Sequence, residues 1–281
     1  MTEFPLFADF RAPLPAGGIR SDLRAVRIVW QRELMRFARD KPRILTTLLQ
    51  PVLYLFVLGT GMSSMVSGGA GDLRVFLFPG VMVMAVLFTS FFCAGSLVWD
   101  REFGFMREML VAPVRRGAIL LGKCLGGATA GTFQGLVVLA IGALAGMRCP
   151  PSLVLALVGE LFVIAFAITA LGLLVAVRIR AMQSFMTLVQ MLVMPLFFFS
   201  GALYPLSALP GWLTLLTHIN PLAYAVDPLR RTMAFGASQF ATTAPGIAWF
   251  SWPVPVTFEL ALVGLFSVVA LAVAVRQFER E

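Results

Sequence analysis

The sequence predicts an all-α integral membrane protein of six transmembrane helices, on three observations. Hydrophobic residues make up 59% of the chain and charged residues only 13%, with a mean hydropathy of +0.89. A soluble fold carries about twice that charged fraction. Uncharged apolar stretches recur at the length a bilayer core demands, about 20 helical residues. The Lys and Arg residues fall between those stretches with a strong bias to one side. The net charge of +8 therefore reads as orientation against lipid headgroups. It does not gather into the single basic face that nucleic acid requires, so no nucleic-acid partner is expected.

Taken in order, residues 44–61 supply the first span, interrupted only by Pro51. Residues 75–99 are uncharged over 25 positions and supply the second. Residues 124–147 give the third and 152–177 the fourth, with Glu160 inside it. From Ala181 to Val226 the one side chain that could carry charge near neutral pH is His218, and Pro195, Pro205, Pro210 and Pro221 divide a stretch too long for one crossing. The fifth span is read at 183–203 and the sixth at 255–275, with Glu259 near its outer end. With this count, 18 Lys and Arg lie on the side of both chain ends and four (Arg74, Arg148, Arg230, Arg231) on the other. Both ends are therefore expected in the cytoplasm.

The segments between the spans carry their own patterns. Residues 1–20 hold charges and Gly/Pro breakers before any apolar run, as a flexible cytoplasmic tail would. Residues 21–42 read as a basic amphipathic helix ended by Pro42. At about 100° per residue, Leu23, Val26, Trp30, Leu34 and Phe37 fall within an arc of roughly 80°. Arg32 and Arg36 lie elsewhere on the wheel, so the helix is expected in the interface with Trp30 at headgroup depth. Residues 43–277 form the transmembrane domain. Its outer segment 206–235 is too apolar for a free loop and too proline-rich for a clean span. Two arrangements satisfy this, a re-entrant helical hairpin or a cap lying on the membrane, and the first is favoured. The third span carries Gly122, Gly126, Gly127, Gly131 and Gly135, a bare stripe for close helix approach, read as packing within the subunit.

Catalytic constellations are absent from the sequence. Gly117 to Cys124 has the Gly and Lys spacing of a phosphate-binding loop, but Cys124 stands where Ser or Thr must hold magnesium. Cys93, Cys124 and Cys149 have no metal-like spacing, and one histidine makes no paired-His site. Glu160 and Glu259 are the remaining chemical candidates, because an ionisable group at membrane depth is a functional hypothesis by default. A channel or secondary transporter would use them; otherwise they are hydrogen-bonded structural groups. Phe185, Phe197, Phe198 and Phe199, with Tyr54 and Phe56, are candidates to line a path for an amphipathic substrate, and equally for ordinary packing. Between spans two and three, Phe103, Met106 and Leu110 recur at i, i+3 and i+7. Asp100, Arg101, Glu102, Arg107 and Glu108 alternate in charge around them. A short helix of this kind suits a groove on a soluble partner, or another interfacial anchor.

The stretch DREFGFMREMLVAPVRRGAILLGK resembles the conserved loop of ABC-2 type permeases, the membrane subunits of bacterial ABC exporters. Residues 195–231, PLFFFSGALYPLSALPGWLTLLTHINPLAYAVDPLRR, look like the same family's fifth-span and outer-hairpin signature. The pattern is closest to the drug-resistance and nodulation-factor export branch. The resemblance implies a permease in the bacterial plasma membrane that binds no cofactor itself. It would work as two copies with a separate ABC ATPase that holds ATP and Mg. It also implies that 21–41 is a connecting helix and 100–112 a coupling helix docked on the ATPase. The exit path would run between permease copies along spans one, two and five, with the outer hairpin helping to close it.

Overall fold

The computed structural model describes residues 18–58, 73–105, 114–146, 150–204, 211–236, 247–249 and 252–280. These are helical apart from a two-residue antiparallel ladder, Ala248–Trp249 (β1) with Trp252–Pro253 (β2). The helices are α1 (Ile19–Arg39), α2 (Lys41–Leu53, prolonged by a π-helical turn Tyr54–Leu58), α3 (Leu73–Ala94), α4 (Ser96–Glu102), α5 (Arg116–Leu144), α6 (Pro151–Ala176), α7 (Met182–Phe198), α8 (Gly211–Ile219), α9 (Ala223–Gly236) and α10 (Val256–Glu279).

Among the described residues, four helical stretches are long and apolar enough to cross a membrane: Arg74–Glu102, Arg116–Leu144, Pro151–Ala176 and Val256–Glu279. They coincide with the second, third, fourth and sixth expected spans. The third begins eight residues earlier than the sequence pattern indicates, because helix continues through Gly117–Lys123. That stretch is therefore not a loop. The first and fifth expected spans correspond to α2 with its π-helical turn and to α7, 18 and 17 residues long. The tail expected at 1–20 lies almost wholly outside the described residues.

Helix α3 is the hub. From Leu77 to Leu87 every residue is buried, because α2, α5, α6, α7 and α9 all pack around it. A helix apolar on all sides has no solvent face to give up, so it takes the central place. Helix α10 packs on α6 and α9, and α5 and α6 close the bundle.

The contacts also sort the segments by end. Asp22 pairs with Arg115, Arg116 reaches the carbonyl of Phe278 near the end of α10, and Arg101 reaches the carbonyls of Val177 and Ile179 after α6. One end of the bundle, here the proximal end, thus holds the start of α1, the end of α4, the start of α5, the α6–α7 turn and the end of α10. These are the segments that the charge count assigns to a single side.

Helix α1 departs from expectation. It runs lengthwise beside the proximal half of α5, in the same direction, rather than lying across the bundle's end. Val29 meets Gly122, Glu33 meets Gly126, and Phe37 meets Phe133 edge to face at 6.2 Å. Trp30 donates from its indole to the Thr129 hydroxyl at 3.1 Å. Trp30 and Phe37, on the apolar arc expected in the membrane interface, face protein, while Leu23 of the same arc is exposed. Asp40 then caps α2 by accepting from the Arg43 amide at 3.3 Å. Pro42 sits in that first turn, where its missing N–H leaves no orphan donor.

The glycines explain this geometry. On one face of α5, Gly122 and Gly126 admit α1; on another, Gly127 and Gly131 lie against Thr169 and Ser90 of α6 and α3. A Cβ on Gly122 would meet Val29 Cβ at 2.8 Å and the Val26 carbonyl at 2.9 Å. Overpacking of this kind costs about 1–3 kcal/mol. Gly122→Ala is expected to lower the Tm of the detergent-purified protein by several degrees and to open α1 to proteolysis. Gly159→Ala, where nothing lies within 4 Å, should leave both unchanged; equal effects would sink the assignment of Gly122 to helix contact.

Candidate functional site

The proximal end of α5 contains a fully charged side chain with almost no water access. Lys123 is 1% exposed. An ammonium carries three protons, and each finds an acceptor: Glu33 Oε1 at 2.8 Å, Ser96 Oγ at 2.9 Å and Asp100 Oδ2 at 2.6 Å. Asp100, itself 0% exposed, also accepts from Arg32 and, at 3.1 Å, from Arg36. Arg32 lies 3.3 Å from Glu33 as well. The five charges bind α1, α4 and α5 into one ionic cluster.

Local sequence places each member. Val26, Val29, Glu33 and Phe37 follow helical spacing, so Glu33 shares the face of α1 that packs on the α5 glycines. Gly126 beneath it lets the carboxylate come close enough to reach Lys123. Ser96 and Asp100 stand one turn apart on α4. Burial alone raises the Glu33 carboxyl, but Lys123 and then Arg36 bring it below the usual carboxylate range.

The expected coupling residues separate into two groups. Asp100 is in the ionic cluster, not on a docking surface. Arg101 donates to Val177 O at 2.7 Å and Ile179 O at 3.3 Å, satisfying carbonyls that the end of α6 leaves without intrahelical partners. Glu102 accepts from the Met182 amide at 2.9 Å and caps α7. Across the intervening segment, Arg115 holds Asp22 of α1 at 3.4 Å and Arg116 donates to Phe278 O at 2.7 Å. The residues flanking 103–114 therefore fasten four other helices. Phe103 and Phe105 project outward, 61% and 52% exposed. The chain does not continue as one helix from Asp100 to residue 112, because α4 ends at Glu102 and Gly104 turns with φ of +83°. Met106, Arg107, Glu108 and Leu110 lie outside the described residues.

The expected path residues also divide. Phe185 and Phe197 are buried in the core, the former over Gly95 in a gap that a Cβ would fill at 2.8 Å. They are packing residues within this chain. Phe198 and Phe56 are exposed, and Phe199 and Tyr54 are half-buried.

At the distal end, Glu160 accepts from the Thr232 hydroxyl of α9. Glu259 lies 3.4 Å from Arg231, which also pairs with Asp227. Arg230 donates to Gly201 O at 2.8 Å and covers the Phe76 ring at 4.3 Å. Asn220 donates to Leu196 O at 2.6 Å, at the carbonyl-rich end of α7. Both carboxylates thus face α9, and the polar groups of this end hold the α8–α9 pair to α3, α6, α7 and α10. Among the described residues, no cluster of three or more His, Cys, Asp or Glu is placed to hold a metal ion.

Sequence reading missed the ionic cluster. In the sequence Lys123 reads as the lysine of an incomplete phosphate loop and as one of the counted charges, Arg32 and Arg36 read as the polar side of an interfacial helix, and nothing marks Glu33. The available signal was a lysine inside an apolar helix, which requires a buried carboxylate from elsewhere.

Comparison with known proteins bears on the same region. A family model described as ABC-2 type transporter matches residues 24–234. A putative transport permease, ycf38, of Cyanophora paradoxa is 27% identical over 80% of this chain and 79% of its own length. The probable doxorubicin resistance ABC transporter permease protein DrrC of Mycobacterium tuberculosis is 26% identical over 71% of this chain and 73% of its own. Nodulation protein J of Rhizobium leguminosarum bv. viciae is 28% identical over 79% of this chain and 85% of its own.

Removing one partner of a buried ionic cluster costs about 3–5 kcal/mol, because the other is left charged and dry. Lys123→Met is expected to destabilise the purified protein strongly, and Lys123→Met with Glu33→Gln and Asp100→Asn to recover part of the loss. The depressed Glu33 value sets the pH sign: its contribution is complete above the ordinary Glu value of about 4.3 and fades as pH falls through the folded value. Glu33→Gln should therefore flatten the acid limb of a Tm-against-pH curve; an unchanged limb would remove Glu33 from the cluster's energetics.

Proposed function

This chain belongs to the ABC-2 type transporter family, and from that premise we propose that it is the permease of an exporter powered by a separate ATPase subunit. A permease subunit of this family is a transport component and not itself a catalyst. The further reading is that two copies form the pathway and that ATP and Mg stay on the partner. Spans are counted as six, with α2 and α7 taken as short crossings of about 27 and 26 Å. The 18-to-4 charge bias puts the proximal end in the cytoplasm of a bacterial inner membrane. The α8–α9 pair then dips into the outer leaflet. The substrate is taken as amphipathic, a drug, lipid or lipid-linked glycan.

The observation that carries this reading is the fastening of four helices by Arg101, Glu102, Arg115 and Arg116. These residues lie immediately beside the segment that bears Phe103 and Phe105. A soluble partner gripping that segment would move α4 and α5 directly, and α1, α6, α7 and α10 through their ends. The ionic cluster of Lys123 lies within two helical turns of the same point. Closure of the ATPase dimer on ATP would thereby reach the whole bundle through one short stretch of chain.

The test uses co-expressed permease and ATPase. Phe103→Ala with Phe105→Ala removes exposed rings, so the Tm of the permease should hold. Recovery of the ATPase with the permease, and permease-stimulated ATP hydrolysis, should fall about tenfold or more, the size of an interface hot spot. Recovery at the wild-type level would show the docking assignment to be wrong. For topology, single cysteines at residue 20 and residue 146 should label with impermeant reagent from opposite faces; labelling from one face would refute the span count.

A further inference from the structure

Between the α1–α2 hinge, α4 and the first turns of α7 lies an open cavity of about 480 Å³. That is within the range of small-molecule sites, about 300–1,000 Å³. Its lining combines charged and apolar groups: the guanidiniums of Arg36 and Arg43, the Asp40 carboxylate 3.8 Å from Arg43 and the hydroxyls of Thr46 and Ser96, with Phe92, Trp99, Met182 and Met186. Arg43 stands 4.9 Å from the centre of the Phe92 ring.

Arg36 is incompletely used by the protein. Its Nη2 donates to Asp100 at 3.1 Å. Its Nη1 is shut off from solvent, approaches Glu33 only to 3.9 Å and has no hydrogen-bond partner among the described residues. A dry guanidinium N–H without an acceptor costs free energy unless something supplies one. That nitrogen is enclosed by protein, so what the cavity meets is the accessible remainder of the Arg36 guanidinium, in surroundings that are cationic on balance. Arg32, Arg36, Arg39, Lys41 and Arg43 occupy the hinge region, against Glu33, Asp40 and Asp100. The adjoining recess along α1 is lined by Arg32, Met35, Arg36, Arg39 and Asp40, three cations to one carboxylate.

We infer that this cavity binds an amphipathic anion, its phosphate or carboxylate head between Arg36 and Arg43 and its apolar body against Phe92, Trp99 and Met186. The inference rests on the reading of the chain as a permease for amphipathic substrates and names their chemical class. It has a mechanical corollary. Arg36 is shared between the cavity and the ionic cluster, so a head drawn to its guanidinium competes with Asp100. Occupancy therefore loosens one of the bonds that tie α1 to α4, beside the segment proposed to meet the ATPase.

The experiment takes the full-length permease, with and without its ATPase, in nanodiscs of neutral phosphatidylcholine. The probe is dodecyl phosphate, compared with dodecyltrimethylammonium and with inorganic phosphate; the readout is the fluorescence of Trp99, identified by its loss in Trp99→Phe. Dodecyl phosphate should give a saturable change that the ammonium does not. Arg43→Gln should weaken it about tenfold or more, as loss of a charge-assisted contact does. Arg43→Lys, which keeps the charge but loses the planar fork over Phe92, should weaken it less than Arg43→Gln does. Equal binding of the ammonium, undiminished binding by Arg43→Gln, or competition by inorganic phosphate as strong as by dodecyl phosphate would each overturn the site. ATP turnover separates this from the wider reading. Binding with the expected selectivity but no response of turnover would leave the site standing and count against export. Stimulation of turnover whose half-maximal concentration is unmoved by Arg43→Gln would overturn the site and leave export intact.

Discussion

The structure turns on the placement of one charge. Lys123 sits inside an apolar helix with 1% exposure, and an unpaired ammonium there would be prohibitively costly. Its three protons must each be received, and no residue of α5 receives them. Glu33 and Asp100 have to come from other helices, which forces α1 against α5 and the end of α4 between them. Gly122 and Gly126 make that approach sterically possible. The two carboxylates then require more cation than Lys123 supplies, and Arg32 and Arg36 bring it from α1. Five residues from three helices are thus fixed by the needs of the first.

Both ends of the bundle close by the same rule, though with different parts. Every helix leaves carbonyls unsatisfied at its end and amides at its start, and where water is scarce these need partners. At the proximal end the partners are Arg101, Glu102 and Arg116, all beside one connecting segment. At the distal end they are Asn220 for α7, and Arg231 for the Ile247 and Val254 carbonyls ahead of α10. The proximal caps radiate from a single stretch of chain, so motion there is shared. The distal caps belong to the α8–α9 pair and hold it as a unit against four helices.

This distribution explains what the sequence disclosed. Four spans stand out because a long apolar run has only one use, and α3, apolar on every side, could only be central. The shared side of Arg101, Arg115, Arg178 and Arg276 could be counted. The orientation of α1 could not. Its arc of Leu23, Val26, Trp30, Leu34 and Phe37 counts apolar residues alone, and Glu33 belongs to the packed face as well. A carboxylate becomes a packing residue only if a cation lies 90 positions away in sequence, and periodicity does not register such a partner. For the same reason Asp100, Arg101 and Glu102 read as surface charge, while the structure buries Asp100 and gives Arg101 and Glu102 backbone partners on α6 and α7. Phe185 and Phe197 could be read as path lining or as packing, because an apolar ring looks alike on a core and on a channel wall. Gly104 was visible, but the left-handed turn it makes was not.

An ionic joint and an apolar one respond differently to displacement, and the difference bears on why the proximal end is charged. Well-packed apolar side chains of equal volume would be at least as stable as this cluster. They would also tolerate sliding, since dispersion falls off gradually over many weak contacts. Hydrogen bonds between charges are short and directional. A shift of α4 against α5 by little more than an ångström lengthens the Lys123–Asp100 and Lys123–Ser96 bonds together, and the Arg36–Asp100 bond with them. Interior charges tolerate no half-broken arrangement, because each partner lost leaves a dry charge behind. The cluster therefore holds one register firmly and abandons it as a unit. That property would suit a joint located beside the segment proposed to meet the ATPase.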